Sequence, residues 1–369
     1  MRILFVSEYY YPAEMGGAEI SMKILAEELA KKHEVHVLTP NYYEYKNTET
    51  VENGVNIRRF KSKRLYFFRQ RGTSKVVYRA NKNLFGSLIK LYAKYSSHEL
   101  EKNIEKAENF DVIHANNFES AIALNNAKAK GRKIVHLRDF RLAESAGKLK
   151  NIDFFIAISK FVKKGYVKCG LEEGKIGVVY NPVSSEDVSD ISKSAARKRL
   201  GLDFKRIALF VGSLVEEKGI REIPKIAGCL PEYDFIIIGE GPEKDFLLSN
   251  KTQNMHITGF VSKSELKHYY RAADVLVVPS KAEPFGRVVI EGQANGCVVV
   301  GLDKGAMKEL IKNGKNGFIV KDGGFVKLIK SLNRLRKARI GVNASRAKNT
   351  YQADKISKCV EKIYEKVLV

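Results

Sequence analysis

Two glutamates with a tight turn between them are the residues whose spacing points most clearly to chemistry. Glu283 and Glu291 lie eight residues apart, and Phe285, Gly286 and Arg287 come between them. Each carboxylate can accept two hydrogen bonds from a vicinal diol, as in a sugar or a ribose. The backbone N–H groups of the three intervening residues would face out of a helix N-terminus, which suits a phosphate or a polyhydroxylated ligand. The alternative is a pair of solvated glutamates flanking an ordinary loop.

The elements around this turn are typical of an open α/β sheet. Val275 to Val278 are continuously apolar, as expected for a strand buried on both faces of a parallel sheet, and Pro279 ends the strand. A helix is predicted to follow the turn and to end at Gly296, before a second buried strand over Cys297 to Val300. Ligands bind at the carboxyl ends of the strands in such sheets, so the pattern predicts a ligand site at the two glutamates.

Other candidate ligand-binding residues follow two more predicted strands of the second half. One strand ends at Gly212 and is followed by Ser213 and Lys218, where a helix is predicted to begin and the lysine is placed to meet a diphosphate. Gly239 and Gly241 follow the next strand in a Gly-x-Gly turn, which is a weak signal alone. A solvated surface lysine is the alternative for Lys218.

The first half of the chain begins with a similar strand, loop and helix. Arg2 to Ser7 is predicted to be a buried strand and Ala18 to Lys32 an amphipathic helix. Gly16 and Gly17 let the backbone approach a ligand at the helix start, although a plain tight turn is the alternative. The loop lacks the G-x-G-x-x-G spacing of dinucleotide sites, so a nicotinamide cofactor is not expected.

Two basic side chains lie near the end of a further predicted strand, Lys133 to Leu137. His136 and Arg138 are two residues apart, so they share one face if the strand persists. His114 lies in the predicted strand from Phe110 to Ala115 and is expected to be packed rather than catalytic.

The length of 369 residues predicts two domains, because one hydrophobic core rarely organises so long a chain. Asn181-Pro182 is the predicted connection, which places the domains at residues 1–182 and 183–347, with a helix over about 348–369. The sequence shows no apolar run of membrane-spanning length, no recognisable signal peptide, and no metal or disulfide pattern among its four cysteines. These features favour a cytoplasmic protein.

The net charge of +23 predicts an anionic partner. From Arg58 to His98 basic and aromatic residues alternate and acidic residues are absent. This mixture favours an anionic membrane surface, where cations meet lipid headgroups and aromatic rings enter the interface. The alternatives are a solvated basic face over an ordinary helix–helix core and, last, a nucleic-acid surface.

Glu283 and Glu291, with the Pro-Phe-Gly turn between them, resemble the E-x7-E motif of family-4 retaining glycosyltransferases, the glycosyl transferases group 1. The resemblance covers nearly the whole chain and is strongest in the second half. It implies the GT-B fold, in which two Rossmann-like domains face each other across a cleft, and a nucleotide-sugar substrate. It also implies that the final helix crosses back onto the first domain. The stretch from Glu309 to Phe318 resembles a hairpin that follows the donor site.

The resemblance implies that Glu283 holds hydroxyls of the donor sugar and that Glu291 holds the ribose of the nucleotide. Gly16 and Gly17 are implied to help position the acceptor. The residues implied to bind the donor are Gly212, Ser213, Lys218, Gly239, Gly241, Glu283, Pro284, Phe285, Gly286, Arg287 and Glu291.

Two positions depart from the family pattern. The family usually has an arginine where this chain has Ser213, so one cation for the diphosphate is absent or supplied elsewhere, and Arg287 is the candidate replacement. The family usually has a histidine near the position of Arg138, where it contacts the donor sugar. Arg138 takes that role, or His136 does, or the contact is absent.

The expected activity is transfer of a sugar from a UDP- or GDP-linked donor to a lipid-linked or polysaccharide acceptor, with retention of anomeric configuration. Catalytic roles are expected for Glu283, for Lys218 and for Arg138 or His136. No metal or other cofactor is expected, because the lysine and helix N-termini can neutralise the leaving diphosphate. The expected location is the inner face of the cell membrane, with docking through residues 58–98. A non-catalytic scaffold of the same fold and a basic nucleic-acid-binding protein are the alternatives.

Overall fold

The computed structural model describes residues 1–11, 16–42, 45–62 and 82–369, with side chains for all of these except 82–90 and 334–335. The chain divides into two compact units, Met1–Tyr180 with Ile356–Val369, and Asn181–Lys355. Each unit contains a mostly parallel sheet with helices, so the predicted α/β class is confirmed. The sequence places the first division after residue 182, and the structure places it after Tyr180.

The first sheet has eight strands in the order β3-β4-β2-β1-β5-β6-β7-β8, and the second has six in the order β11-β10-β9-β12-β13-β14. The strands are β1 (Arg2–Val6), β2 (Glu34–Pro40), β3 (Glu49–Glu52), β4 (Val55–Phe60), β5 (Val112–Ala115), β6 (Arg132–Leu137), β7 (Phe154–Ala157), β8 (Ile176–Val178), β9 (Ile207–Val211), β10 (Asp234–Ile238), β11 (Met255–Gly259), β12 (Val275–Val278), β13 (Val298–Leu302) and β14 (Gly317–Val320).

The helices follow the strands in the alternation expected of parallel sheets. They are α1 (Gly17–Ala30), α2 (Lys82–Glu105), α3 (Phe118–Asn126), α4 (Lys160–Lys168), α5 (Lys193–Arg199), α6 (Ile223–Gly228), α7 (Lys244–Ser249), α8 (Lys263–Ala272), α9 (Arg287–Ala294), α10 (Met307–Leu310), α11 (Gly324–Lys330), α12 (Arg334–Ala344), α13 (Ala347–Thr350) and α14 (Ala353–Leu368).

Hydrophobic burial explains why the predicted strands and helices form where they do. Every residue of β5, β7, β12 and β13 is buried, as expected for central strands covered on both faces. Helix α1 places Met22, Leu25 and Leu29 in the core of the first unit, at the three- and four-residue spacing of one helix face. Helix α4 is capped at its N-terminus, because the Ser159 side chain accepts the N–H of Val162.

The hairpin expected between Glu309 and Phe318 is wrong. Helix α10 occupies the start of this stretch, and β14 pairs with β13 in the parallel direction, with Val299 opposite Gly317. Phe318 and Val320 lie in the core of the second unit, so β14 belongs to the main sheet and not to a local hairpin.

The basic and aromatic segment from Arg58 to His98 lies partly outside the described residues, since 63–81 are not among them. In the described part, three residues are engaged within the first unit. Arg59 is 4% exposed and donates to Thr50 and the Tyr11 carbonyl, Phe60 is buried, and the Tyr92 hydroxyl bonds to Tyr42. Among the described helices, none combines the length and apolarity needed to cross a membrane.

The final helix, α14, packs into the core of the first unit. Val360 and Tyr364 are fully buried there beside strands β1 and β5. The Tyr364 hydroxyl lies 2.6 Å from Nδ1 of His114, whose Nε2 lies 3.2 Å from Nδ1 of His136. His114 is therefore packed and hydrogen-bonded, as predicted, and the C-terminal residues complete the core of the first unit.

Replacing Tyr364 with alanine should destabilise the first unit by about 4 kcal/mol, because it removes a buried aromatic ring and a hydrogen bond. Urea-induced unfolding, monitored by circular dichroism, measures the change. Glu365→Ala alters the next, exposed residue of the helix and should leave the midpoint unchanged. Equal midpoints for the two variants would contradict the role of Tyr364.

Acid should destabilise the first unit through His114. Burial, helped by the charge of Arg138, lowers the pKa of His114 from 6.5 to about 3. Below pH 6.5 the unfolded chain binds a proton that the folded chain does not, so stability falls as the pH drops from about 6.5 towards 3. At pH 5 the contribution of His114 to this loss is roughly 2 kcal/mol relative to neutral pH.

Urea titrations at pH 7 and pH 5 measure this loss. It should shrink in His114→Gln and persist in His98→Gln, which changes an exposed histidine. A pH dependence identical to wild type in His114→Gln would show that another group is responsible.

Candidate functional site

The loop after β12 holds Glu283 in a buried ion pair. Glu283 is 6% exposed, and its Oε2 lies 2.6 Å from Nζ of Lys218, whose side chain is 33% exposed. The pair joins the loop after β9 to the loop after β12, which are neighbouring parallel strands of the second sheet. Because the Lys218 side chain is partly exposed, its ammonium group keeps N–H donors for an anionic ligand.

The backbone around Lys218 differs from the prediction. Glu216–Lys218 is a single 3-10 turn, and the helix expected here begins only at Ile223, as α6. Gly219 separates the two with φ of 69°, and a Cβ atom there would lie 2.0 Å from the Pro279 carbonyl oxygen. Only a glycine fits this close approach, which brings the lysine turn against the end of β12.

Glu291 is 8% exposed and lies in α9, so the alternative of two solvated glutamates is wrong. The Tyr270 hydroxyl donates to its Oε2 at 3.0 Å, and its Oε1 lies 2.7 Å from Nε of Arg287. Burial raises the pKa of Glu291, and the Arg287 charge opposes that rise. The carboxylate retains lone pairs for a diol beside this hydrogen bond and this ion pair.

Arg287 is engaged inside the second unit. Besides Glu291, its guanidinium lies 3.2 Å from Oδ2 of Asp187 and donates to the Pro182 carbonyl at 3.1 Å. Its side chain is 10% exposed. These contacts argue against Arg287 as the replacement for the cation missing at Ser213, which is exposed.

The turn between the two glutamates starts α9. Gly286 precedes the helix with φ of 103°, and no side chain caps the first turn. Phe285 is 2% exposed and its ring packs edge-on against Tyr351, so its side chain belongs to the core and only its backbone can meet a donor. Pro284 is half-buried in the same turn. Because no side chain caps the helix start, its backbone dipoles remain suited to an anion.

The glycines after β9 and β10 pack against each other. Gly212 donates its N–H to the Ile238 carbonyl at 3.0 Å, and a Cβ atom on Gly239 would lie 1.9 Å from the Gly212 oxygen. A Cβ atom on Gly241 would lie 2.4 Å from the Leu214 oxygen. Because β10, β9 and β12 are adjacent, these turns share one edge of the sheet with Lys218 and the two glutamates.

In the first unit, His136 and Arg138 are both buried at the carboxyl end of β6. Arg138 lies beyond the strand, and its Nε and Nη2 donate to Oδ1 of Asn116 at 3.0 and 2.8 Å. Burial, Arg138 and His114 lower the pKa of His136 well below its usual value, so it stays neutral. Arg138 supplies the positive charge at this edge.

Gly16 and Gly17 are exposed at the start of α1, one residue earlier than predicted. Gly16 is extended and its carbonyl accepts the N–H of Ile20 at 3.1 Å. The preceding residues 12–15 lie outside the described part of the chain.

Sequence reasoning misses Asp187 and Tyr270. Asp187 lies in the polar stretch expected to be a connection, yet its side chain is 2% exposed and contacts Arg287 and Lys263. Ser184 and Asp187 form a capping box, and their Ser-x-x-Asp spacing is a signal that could have identified a structured turn. Tyr270 precedes Glu291 by 21 residues and has no comparable signal. Among the described residues, no group of three or more His, Cys, Asp or Glu could hold a metal ion.

Two family models match consecutive parts of the chain. The model described as Glycosyltransferase Family 4 matches residues 15–187, and that described as Glycosyl transferases group 1 matches residues 192–353. Together they span most of both halves of the chain.

Individual proteins agree with these models. A Klebsiella pneumoniae protein named "Uncharacterized 42.6 kDa protein in cps region" is 29% identical over 356 residues, with 87% of this chain and 90% of the relative covered. The uncharacterized glycosyltransferase MJ1607 of Methanocaldococcus jannaschii is 29% identical over 365 residues, with 87% of this chain and 85% of the relative covered.

Solved structures show the same fold. The crystal structure of Anabaena HepE in complex with UDP and glucose matches with a TM-score of 0.75 at 20% identity, covering 99% of this chain and 100% of HepE. The expected GT-B fold is thereby confirmed. With both halves matched by their family models, the chain belongs to the glycosyl transferases group 1, the family-4 glycosyltransferases, which use nucleotide sugars.

Proposed function

We propose that this glycosyltransferase moves a sugar from a UDP- or GDP-linked donor to a lipid-linked or polysaccharide acceptor, with retention of anomeric configuration and without a metal. The observation that supports the donor site is the pairing of two buried glutamates at one sheet edge, Glu283 with Lys218 and Glu291 with Arg287 and Tyr270. In this proposal Glu283 holds hydroxyls of the donor sugar and Glu291 holds the ribose.

Charge neutralisation is the main task in such a transfer, because breaking the bond between the anomeric carbon and the phosphate oxygen adds a negative charge to the departing diphosphate. The partly exposed Lys218 and the positive end of the α9 dipole, which no side chain caps, are the groups that would stabilise this charge. Because these groups can neutralise the leaving diphosphate, transfer without a metal ion is chemically reasonable. Arg138 is the corresponding cation of the first unit, where the family usually has a histidine.

The proposed route is front-face attack by the acceptor hydroxyl. The acceptor oxygen bonds to the anomeric carbon on the face from which the diphosphate departs, and the leaving phosphate oxygen takes the hydroxyl proton. No side chain then needs to act as a covalent nucleophile, and the product keeps the configuration of the donor.

The acceptor and location rest on two supports. One relative carries a name that places it in a cps region, which is consistent with a polysaccharide acceptor. The net charge of +23 favours an anionic membrane surface for the enzyme, at the inner face of the cell membrane.

Glu291→Gln should strongly weaken nucleotide binding, because an amide offers one acceptor oxygen where the carboxylate offers two. Nucleotide binding is measured by thermal shift with UDP, GDP, ADP and dTDP and with the corresponding nucleotide sugars. One base should stabilise wild type and the control Glu232→Gln, an exposed glutamate of the same unit, but not Glu291→Gln. If no nucleotide raised the melting temperature of wild type, the donor site would be contradicted, and a non-catalytic scaffold or a nucleic-acid-binding protein would be favoured.

Glu283→Gln should separate sugar recognition from nucleotide recognition. The variant should keep the thermal shift given by the free nucleoside diphosphate and lose the additional shift given by the nucleotide sugar. Turnover should fall by about 100-fold or more, as for the loss of one transition-state contact. An unchanged response to the nucleotide sugar would rule out Glu283 as the sugar ligand.

A further inference from the structure

The segment after the connection between the two units is bonded to the donor-site helix. Both oxygens of Asp187 are engaged. Oδ2 accepts the Ser184 N–H at 2.8 Å and lies 3.2 Å from Arg287, and Oδ1 pairs with Lys263 at 2.9 Å. Arg287 also donates to the Pro182 carbonyl, so one guanidinium joins two points of the segment 182–187 to α9.

Asn295 forms a second bridge between the same two elements. Its Nδ2 donates to the backbone carbonyls of Asp187 at 2.8 Å and Glu291 at 2.9 Å, and its Oδ1 accepts the Ser189 N–H at 2.8 Å. Asn295 is 2% exposed, so these bonds are shielded from water. The segment and the end of α9 therefore form one packed block.

The charges in this block balance. Asp187 and Glu291 are two buried carboxylates, and Arg287 and Lys263 are their two cations. Burial alone would raise the pKa of Asp187, but Arg287 and Lys263 outweigh it and hold the pKa below its usual value. Asp187 is thus ionised at neutral pH and contacts Nη2 of the guanidinium, next to the Nε that faces Glu291.

We propose that Arg287 is a positioning residue for Glu291, held in place by Asp187, so that ribose recognition depends on the segment 182–187. The inference rests on the proposed ribose role of Glu291. Arg287 and Tyr270 each engage one oxygen of the Glu291 carboxylate, which leaves its remaining lone pairs in a single orientation. Asp187 contacts no part of the donor in this proposal and acts only through the arginine.

Removal of the ribose 2′-hydroxyl from the ligand tests this proposal directly. Wild type should bind UDP more tightly than 2′-deoxy-UDP by about tenfold or more, as for a hydrogen bond to a charged group. The same comparison with GDP and 2′-deoxy-GDP covers a guanine-specific site. Isothermal titration of each pair gives the discrimination ratio for each variant.

Asp187→Asn and Arg287→Lys should each bring this ratio close to one, whereas the control Arg199→Gln, an exposed arginine of the same unit, should keep it. In a Glu291→Gln background, Asp187→Asn should have no further effect on the ratio, because it acts through that carboxylate. A purely structural role would instead lower the melting temperature and the fraction of active protein while keeping the ratio. Arg287→Lys retains the charge, so it provides the test if Asp187→Asn does not fold.

The outcomes distinguish a failure of the ribose role of Glu291 from a failure of the positioning role of Arg287 and Asp187. If Glu291→Gln keeps the wild-type ratio, the ribose role of Glu291 fails, and the positioning role fails with it. If Glu291→Gln loses the ratio but Asp187→Asn and Arg287→Lys both keep it, the donor site stands and the positioning role is overturned.

Discussion

A carboxylate can be buried in a folded protein only when cations or hydrogen-bond donors compensate for its lost hydration, and this requirement organises the second unit. Glu283 meets it with Lys218, and Glu291 with Arg287 and Tyr270. The cations of the two pairs differ in their exposure to solvent. Lys218 is one-third exposed and can turn to an incoming anion, whereas Arg287 is enclosed and bound to Asp187 as well. One pair is therefore suited to exchange partners during catalysis and the other to remain fixed.

The pairing of Glu283 depends on close backbone contacts on both sides of its loop. A Cβ atom on Gly219 would collide with the Pro279 carbonyl, and one on Gly305 would lie 2.1 Å from the Glu283 carbonyl. The Glu283 carbonyl also accepts the N–H of Ala306 at 2.9 Å. Three loops of the sheet edge are thus joined through backbone atoms, which leaves the carboxylate little freedom to move away from the lysine.

The sequence predicts those parts of the molecule that are governed by local periodicity and by glycine and proline signals. The buried strands and helix α1 depend on residues close together in the chain, and they are confirmed. The parallel pairing of β14 and the burial of Arg59 depend on distant partners, and the sequence misses both. A charge pattern alone cannot separate a surface cation from one enclosed among Thr50, Glu52 and a backbone carbonyl.

The same distinction applies to the candidate site. The eight-residue spacing of the glutamates is visible in the sequence, and so is the lysine turn. The contacts of Arg287 with Asp187, a hundred residues earlier, and of Tyr270 with Glu291 exist only after the chain has folded. For this reason Arg287 was expected to face the diphosphate and is found to be bound to carboxylates.

The place of α14 bears on the order in which the protein matures at the ribosome. The first unit is built from the beginning of the chain but includes Ile356–Val369, while the second unit is one continuous stretch. During synthesis all of the second unit is therefore made before the residues that complete the first. Until then the core of the first unit lacks Tyr364, and Nδ1 of His114 lacks its phenolic partner. The nascent first unit thus carries an open apolar surface for the whole time that the second unit is being translated.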